Sequence, residues 1–406
     1  MAFQATALVV SIVLILGGAY KRIPDYITLG LASIVIGAAM RWSPGIIALT
    51  MWKAIISPET LKLAACVGLI RMLGCILQRF GILETMADSL RRVLKSSKYA
   101  VMAVPALLGS LSAFGGAIMS APLVDGTGDH LEFSPARKAA INILFRHSVF
   151  FVYPFSTTLL FTSAIAGVSV FDMVKILWPL SVLMFGASYL LLVRGTKEKI
   201  EPSTVPYSVA LRQFVVSSSP VWLAILLTSA FGVPLVIALS VGVVLAMAMS
   251  RGRQGFAIDA LWKSIDFCSI TTVLGIMVFK SFVLEMDILP VAMDSLSKRG
   301  VPLEVLAAAG IFTFAFISGS LQTGIAVTLP ILLSMSPGPD RVLLHASFAY
   351  MIGFSSYLVS PLHLCQVLTA KYFNVPLSSI YREYWPVPAA TFFGSIALYL
   401  VHRAML

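Results

Sequence analysis

The chain has 406 residues, of which 58% are hydrophobic and only 12% are charged. A soluble globular protein carries about 25% charged residues, so this composition excludes most soluble enzymes, and with them nucleic-acid-binding proteins and extracellular scaffolds. The formal net charge of +11 fits the excess of Lys and Arg in the cytoplasmic loops of membrane proteins. We therefore predict a polytopic membrane protein whose spans each need about 20 apolar residues.

The first half of the chain is predicted to contain five spans, an interfacial helix and a hairpin. The N-terminal apolar run lacks the basic start and the small-residue cleavage site of a signal peptide, so it is predicted to be the first span. Apolar runs separated by Gly, Pro and charge place the spans at 3–20, 26–40, 61–77, 138–164 and 174–193. An amphipathic stretch at 82–95 is predicted to lie along the membrane interface. Residues 99–124 are apolar but interrupted by Gly and Ser, which predicts a re-entrant hairpin.

The second half repeats this order. Its predicted spans lie at 211–230, 235–249, 267–283, 342–370 and 385–401, with an interfacial stretch at 288–298 and a hairpin at 306–334. Short matches recur at a nearly constant offset: Trp52-Lys53 returns as Trp262-Lys263, and Gly109-Ser110 returns as Gly319-Ser320. We therefore predict two repeats. The first covers residues 1–203, with scaffold spans in 3–95, and the second covers residues 204–406, with scaffold spans in 211–298.

Five crossings in each repeat would give the two repeats opposite orientations. The predicted fold is an all-α polytopic membrane protein with two inverted repeats of five spans, each containing a re-entrant hairpin and a Pro-broken helix. On this topology 18 of the 29 Lys and Arg residues fall on the face of the 193–211 linker, namely Lys21, Arg22, Arg79, Arg91, Arg92, Lys95, Lys98, Arg137, Lys138, Arg194, Lys197, Lys199, Arg212, Arg251, Arg253, Lys263, Lys371 and Arg382. Because Lys and Arg mark cytoplasmic loops, we predict that this face is cytoplasmic and that both termini lie outside the cell membrane.

The two hairpin tips and the two Pro-broken spans form the predicted binding site. Irregular backbone at membrane depth is tolerated where it is buried in protein or lines a wet cavity, and broken helices near the midplane are typical of secondary transporters. Free amides at half-helix N-termini suit anions, and free carbonyls at half-helix C-termini suit Na⁺ or a proton. For any single small residue here, the alternative interpretation is helix packing. The candidates are Ser110, Ser112, Gly115, Gly116, Tyr153, Ser156, Thr157 and Thr158 in the first half, and Ser318, Gly319, Ser320, Gln322, Thr323, Gly324, Ser360, His363 and Gln366 in the second.

Arg146 and His147 lie within an apolar run of the first broken span. An Arg near the bilayer centre costs about 2.5–3.5 kcal/mol on insertion scales, so it needs a partner or a wet cavity. Arg146 either contacts an anionic substrate or anchors the edge of the span, by pairing with Asp125 or Asp129 or by extending to the lipid headgroups. Because Arg146 is only eight residues beyond Lys138, the anchor is the favoured prediction.

His363 lies in the polar stretch that follows Pro361 of the second broken span. A neutral imidazole can hydrogen-bond a substrate, and it can also take up a proton near neutral pH. We predict one of these two functions for His363, with a structural histidine as the alternative.

The four cysteines, Cys66, Cys75, Cys268 and Cys365, lie in apolar stretches without metal-ligand spacing. This pattern is typical of small buried hydrophobic residues. We predict no disulfide and no bound metal.

Gly126-Thr127-Gly128-Asp129 spells the GxGD string of intramembrane aspartyl proteases. That chemistry requires two carboxylates that share a site inside the membrane. Asp129 instead lies in a Gly-rich polar segment that is predicted to be a loop, and no second Asp within a span has a suitable sequence context. The motif is therefore a weak alternative, and we expect no enzyme activity, no catalytic residue and no cofactor.

The repeated order of spans, interfacial helix, hairpin and Pro-broken span resembles the ion transporter superfamily of citrate, dicarboxylate, gluconate and arsenite permeases. The tips carry Gly109-Ser110-Leu111-Ser112 and Gly319-Ser320-Leu321-Gln322-Thr323. Within that group the chain most resembles a prokaryotic membrane family known as domain of unknown function 401. The resemblance implies a homodimer whose hairpins and broken helices form a transport domain that slides against a static scaffold, which is an elevator mechanism. The dicarboxylate/sodium members carry Ser-Asn-Thr at both tips. The tips of this chain contain no Asn, so the resemblance gives no basis for assigning sodium as the coupling ion or a dicarboxylate as the substrate.

Taken together, these features predict a secondary active transporter that moves a small organic anion across the cytoplasmic membrane by symport with H⁺ or Na⁺. The first alternative is a cation/proton antiporter, which the same fold supports. The alternative from another class is a GxGD protease that uses Asp129. The predicted partners are a small anionic solute, the lipid bilayer and a second copy of the chain, and no nucleic acid.

Overall fold

The structure is a computed structural model that describes residues 2–21, 23–110, 116–197, 205–250, 265–286, 288, 302–334 and 338–406. Within these ranges the regular structure is helical and contains no strand, which confirms the all-α prediction. The helices of the first half are α1 (Ala2–Tyr20), α2 (Asp25–Ala39), α3 (Pro44–Ile56), α4 (Pro58–Arg79), α5 (Ile82–Leu94), α6 (Ser97–Ser110), α7 (Gly116–His130), α8 (Pro135–Ser148), α9 (Thr157–Ala166) and α10 (Val170–Leu192). Those of the second half are α11 (Tyr207–Ser229), α12 (Leu235–Ser250), α13 (Phe267–Leu284), α14 (Leu303–Ser318), α15 (Leu321–Leu333), α16 (Pro339–Val359), α17 (Leu364–Phe373), α18 (Leu377–Tyr384) and α19 (Pro386–Met405).

Six helical segments of the described residues are long and apolar enough to cross a membrane, and the bent pair α18 and α19, which meets at 57°, makes a seventh if it counts as one span. The six are Phe3–Tyr20, Pro58–Arg79, Val170–Leu192, Tyr207–Ser229, Phe267–Leu284 and Pro339–Phe373. Large apolar side chains such as Trp178, Trp222 and Phe393 point outward and are more than half exposed. Such a surface is suited to lipid rather than water, so the chain is a membrane-embedded protein.

Two predicted spans are short. The spans at 26–40 and 235–249 correspond to α2, with 15 residues, and α12, with 16 residues. A bilayer core needs about 20 residues, so these helices can cross it only where neighbouring protein thins or shields the lipid.

The helices pack in two groups. In one group α4 and α13 pack against each other, α2 packs on α1 and α13, and α12 packs on α11 and α4. In the other group the hairpin helices α6 and α7 pack on α8, and α14 and α15 pack on α16. Helices α10 and α19 pack on each other; α10 also packs on both broken spans, and α19 packs on α16. The buried apolar core runs through both groups.

Local sequence explains where several helices begin. Helices α3, α4 and α8 each start with Ser followed by Pro at the first helical position, and the Ser hydroxyl accepts a backbone N–H of the first turn. Ser at the N-cap satisfies an unpaired donor, and Pro at this position loses no hydrogen bond. Helix α3 was not predicted as an element, although its Ser-Pro start is visible in the sequence.

Both predicted hairpins consist of two helices that pack on each other. Helices α14 and α15 meet at Gly319, whose φ of +63° is a left-handed conformation that favours Gly. The tip between α6 and α7, residues 111–115, lies outside the described residues. The predicted interfacial stretch at 82–95 is helix α5, which buries one face against α6 and α11. Of the second predicted interfacial stretch, residues 289–298 lie outside the described residues.

The GxGD segment does not form the predicted loop. Helix α7 continues through Asp129 to His130. The reason is Lys138 on α8, whose ammonium group pairs with Asp125 and Asp129, one turn apart on α7.

Candidate functional site

Both predicted broken spans are interrupted, and the interruptions lie against each other. After α8 the chain forms a short 3-10 turn over Val149–Phe151 and restarts as α9, while α16 ends at Val359 and restarts as α17. The hydroxyl of Tyr350 on α16 donates to the carbonyl of Phe150 at 2.9 Å. The rings of Phe151 and Phe354 lie 4.4 Å apart, centroid to centroid. These contacts place the first break against α16, a few residues ahead of the second break.

Two histidines meet at this crossing. The rings of His147, near the end of α8, and His363, at the start of α17, are arranged edge to face with centroids 4.8 Å apart. Both side chains are buried. The Nδ1 atom of His147 lies 2.7 Å from the carbonyl oxygen of Ile143 and so is the donor. Among the described residues, Nε2 of His147 and both ring nitrogens of His363 have no hydrogen-bond partner.

Arg146 is buried beside this pair, with 5% of its surface exposed. Its Nε and Nη1 atoms have no hydrogen-bond partner in the described part of the chain. The predicted anchor through Asp125 or Asp129 is therefore wrong, because Lys138 occupies both carboxylates. The sequence distance could not distinguish two basic residues that lie two turns apart on one helix.

Amide and hydroxyl side chains extend the polar cluster. Asn142 donates to the carbonyl of Ala117 at 3.1 Å and to the hydroxyl of Thr369 at 3.2 Å. Gln366 donates to the carbonyl of Leu358. The carbonyl oxygens of both amides are buried and lack partners among the described residues. We call Asn142, Arg146, His147, His363 and Gln366 the crossing cluster.

The ring of Tyr357 lies on that of His363, with centroids 3.8 Å apart, and Cys365 interacts with the Tyr357 hydroxyl. The metal-ligand atoms of His147, His363 and Cys365 lie within 4.8 Å of one another. The positive charge of the Arg146 guanidinium interacts electrostatically with both histidines. It therefore repels a cation placed among them. The arrangement consequently favours an anion.

The tip of the second hairpin is held by its own residues. The Ser320 hydroxyl caps α15 by accepting the N–H of Thr323 at 3.3 Å, and the Ser318 hydroxyl donates to the carbonyl of Phe314 at 2.6 Å. A Cβ on Gly319 would lie 2.6 Å from the backbone of Leu362, in the second break. This tip therefore packs directly against the break that carries His363.

Two tip residues reach other elements. The Gln322 amide lies 3.5 Å from the hydroxyl of Thr157, at the start of α9. The Thr323 hydroxyl lies 3.4 Å from a carboxylate oxygen of Asp25, at the start of α2. Asp25 was not among the predicted site residues, because its position ahead of a span is an ordinary one for an acid.

The first hairpin approaches Arg146. A Cβ on Gly109 would lie 2.2 Å from the Arg146 carbonyl oxygen, so α6 and α8 touch at this Gly. The predicted residue Ser110 ends α6 and donates to the carbonyl of Leu107 at 2.7 Å, while Gly116 begins α7. The predicted residues Ser112 and Gly115 lie outside the described residues.

The remaining predicted residues are mostly packing or capping groups. Tyr153 is buried in the first break, where its ring contacts Phe155. Ser156 precedes α9 and interacts with the Tyr350 hydroxyl, while the carbonyl of Thr158 accepts from Thr162. In the second half, Ser360 donates to the carbonyl of Phe316 at 2.6 Å, and Gly324 packs on Ala315.

Asn142, Tyr357 and Cys365 were missed as site residues. Nothing in the sequence shows that α8, the end of α16 and α17 come together at these residues, and Cys365 was predicted to be only a small buried residue. The four cysteines are free, but of these only Cys66 is buried as predicted, while Cys75 and Cys365 are half-buried and Cys268 is exposed.

The sequence pattern of the family described as Protein of unknown function (DUF401) matches residues 5–401, which is nearly the whole chain. No curated protein matches the chain.

Proposed function

The chain belongs to the DUF401 family, and from its crossing cluster we propose that it is a secondary active transporter that moves a small organic anion across the cytoplasmic membrane, driven by H⁺ or Na⁺. The observation that carries this proposal is the burial of Arg146 with two guanidinium nitrogens unpaired among the described residues. Leaving a buried charge without a partner costs several kcal/mol. A carboxylate or another oxyanion would provide the missing acceptors, because its oxygens match the planar guanidinium.

The position of the cluster supports transport rather than a permanent bound group. It lies where two broken helices meet, and each break is covered by a hairpin through Gly109 or Gly319. Broken helices converging on buried polar residues are the arrangement that secondary transporters use for substrate. The cluster is enclosed, so a substrate enters only when a hairpin or a helix group moves.

The helix contacts also support two inverted repeats. Helices α2 and α12 exchange equivalent neighbours, since α2 packs on α13 and α12 packs on α4. Likewise α15 packs on α9 and α7 packs on α17, so each hairpin contacts the half-helix of the opposite half of the chain. Such reciprocal contacts are what a two-fold relation between residues 1–203 and 204–406 would produce.

Two charged pairs between α4 and α13 show the same reciprocal relation between the halves of the chain. Arg71 on α4 pairs with Asp266 at the start of α13, with 2.8 Å between Nε and the carboxylate. Lys280 on α13 in turn interacts with Glu59 at the start of α4. On this basis we propose α1–α4 and α11–α13 as the scaffold of a homodimer, past which the hairpins and broken helices slide in an elevator motion, in line with the resemblance to the ion transporter superfamily.

A thermal-shift screen of the purified protein tests the proposal. The probes are acetate, lactate, gluconate, citrate and phosphate, each with Na⁺ and with choline as the cation. A ligand at about 100 times its Kd stabilises the folded state by about 2.7 kcal/mol, so a substrate raises the melting temperature by several degrees. Arg146→Gln should abolish this shift, and Arg382→Gln, which changes an exposed Arg on α18, should retain it. If no probe stabilises the wild type more than Arg146→Gln, the proposed function is wrong.

An anion that passes this screen should also accumulate in proteoliposomes that contain the wild type. Arg146→Gln proteoliposomes should show no more uptake than protein-free liposomes. Uptake at the wild-type rate in Arg146→Gln would show that this Arg only packs.

A further inference from the structure

The two facing histidines have a property that anion binding alone does not require. His147 and His363 offer three ring nitrogens without a partner among the described residues, and a neutral imidazole nitrogen that is not protonated is a proton acceptor. Resting on the transport function proposed above, we propose that His147 and His363 are the proton-binding site that couples movement of the anion to H⁺ rather than to Na⁺.

The geometry limits the pair to one proton. The ring centroids are 4.8 Å apart, and both rings are fully buried. Two positive charges at this distance repel strongly in a medium of low dielectric constant. A proton on one ring therefore prevents protonation of the other, and the pair changes its charge by one.

The charged and titratable groups around the pair are few. They are Arg146 on α8, Tyr350 and Tyr357 on α16, Cys365 on α17, and Tyr381 and Tyr384 on α18, whose hydroxyls donate to the carbonyls of Val359 and Leu358. Among the described residues, the acids of the neighbouring helices are Asp125 and Asp129 on α7, Asp172 on α10, Asp340 at the start of α16 and the partly exposed Glu383 on α18. Lys138 holds the α7 carboxylates Asp125 and Asp129 eight residues before Arg146, which is about 12 Å along a helix. On α10, Asp172 pairs with Lys175, whereas it is Ser181 that contacts Ser148 beside the pair.

This inventory disfavours Na⁺ at the crossing. Hard cations are bound by several oxygen ligands, usually with a carboxylate among them. In the described part of the chain, the only permanent charge beside the histidines is the positive Arg146. The unpaired oxygens beside the histidines are the amide oxygens of Asn142 and Gln366, which are neutral and fewer than the several oxygens that a hard cation takes. The unpaired imidazole nitrogens suit a proton.

Arg146 makes the two binding events depend on each other. Without an anion its charge opposes a second positive charge on the neighbouring rings. A bound anion neutralises that field, so a proton on the pair becomes more favourable. By linkage the proton raises the affinity for the anion by the same factor. One anion and one proton then enter together, and the loaded site carries no more charge than the empty one.

The test measures proton uptake directly. The probe is the anion of the acetate, lactate, gluconate, citrate and phosphate panel that stabilises the wild type, added to unbuffered purified protein at the same pH, with a pH dye as the readout. The expected result is about one proton taken up per bound anion, with a Kd that rises up to tenfold per pH unit over the range where uptake occurs. His147→Gln with His363→Gln should still bind the anion, more weakly, and take up no proton. The matched control is His402→Gln, a partly exposed histidine near the C-terminus, which should take up protons like the wild type.

Each other outcome has a defined meaning. Anion binding with no proton uptake by the wild type, or with an absolute need for Na⁺, would overturn the proton coupling and leave the transport proposal standing. Unchanged proton uptake in the double variant would overturn the assignment of the proton site to these histidines. Each single variant gives the same test if the double variant does not fold. If no anion of the panel binds, the transport proposal itself fails.

Discussion

Gly319 lies against Leu362 so closely that a Cβ added to Gly319 would sit 2.6 Å from the Leu362 carbonyl oxygen. The contact joins the tip of the second hairpin to the break of the second broken span. The two nearest atoms of Leu362, its carbonyl carbon and oxygen, belong to the backbone, so a change of side-chain rotamer cannot relieve the contact. The hairpin therefore covers the break through a contact that only Gly permits at this φ of +63°.

Gly319→Ala is predicted to destabilise the protein in two ways. The left-handed backbone costs about 1–2 kcal/mol for a residue with a Cβ, and overpacking against Leu362 adds about 1–3 kcal/mol. Gly167→Ala is a matched control, because Gly167 has a φ of +69° and nothing in the described structure within 4 Å of an added Cβ. Melting temperatures in detergent should fall for both variants, and further for Gly319→Ala. Equal losses would show that the hairpin does not press on the break.

Lys138→Met is predicted to loosen the end of α7. Lys138 is 6% exposed at its side chain and is shared by two carboxylates, of which Asp125 is 34% and Asp129 69% exposed. Removing the ammonium leaves the partly buried Asp125 without its cationic partner, although the hydrogen bond with Tyr372 remains, and costs about 1–3 kcal/mol. Asp125→Asn should cost more than Asp129→Asn, because water screens the ion pair of the more exposed carboxylate, which therefore contributes less to stability. A larger loss for Asp129→Asn in a thermal melt would contradict this assignment.

The Asp129→Asn variant also distinguishes the proposed transporter from the protease alternative. Both carboxylates face one ammonium group, whereas the protease chemistry needs two carboxylates that face each other. We expect Asp129→Asn to leave anion transport unchanged. Loss of cleavage of a reporter span on this substitution, in a protein that cleaves it as wild type, would favour the protease.

The ion pair of Arg71 and Asp266 predicts a dependence of stability on pH. Burial raises the pKa of Asp266, but hydrogen bonds from Ser269 and the charge of Arg71 outweigh it, so the pKa lies below its ordinary value. A lowered pKa in the folded state stabilises the protein above about pH 4, the pKa range of an unfolded Asp, and this stabilisation is lost as the pH falls through the folded-state pKa. Asp266→Asn should therefore lower the melting temperature at pH 7 and narrow its difference from the wild type near pH 3. A constant difference across this range would contradict the lowered pKa.

The positions of the helices and breaks were predicted better than the contacts between them. Gly319 with Ser320, and the prolines Pro154 and Pro361, mark irregular backbone directly, because Gly permits a left-handed turn and Pro removes a hydrogen bond. Those signals are local: α14 and α15 meet at Gly319, and the interruptions after α8 and after α16 lie beside Pro154 and Pro361. Helices α3 and α18 were missed because they are too short to be recognised as spans, and 3.6-residue periodicity is weak over two or three turns.

The composition of the crossing cluster depends on contacts between distant parts of the chain. His147 and His363 are 216 positions apart, and no pattern in either segment shows that their rings meet. The prediction for Arg146 failed for the same reason, since Asp125 and Asp129 were near enough in sequence to pair with Arg146 or with Lys138. Only the direction in which each side chain leaves α8 decides between them.

The most direct test of anion binding by Arg146 is the affinity of the Arg146→Gln variant for the anion that stabilises the wild type, measured by equilibrium dialysis with the radiolabelled anion. Hydrogen bonds to a charged group contribute about 1.5–3 kcal/mol each, so we expect binding to weaken by at least about tenfold. Arg146→Lys keeps the charge but loses the planar fork, so its Kd should lie between those of the wild type and Arg146→Gln. Arg382→Gln should bind the anion like the wild type. An unchanged Kd in Arg146→Gln, in protein that melts like the wild type without anion, would contradict the claim that this buried guanidinium binds the transported anion.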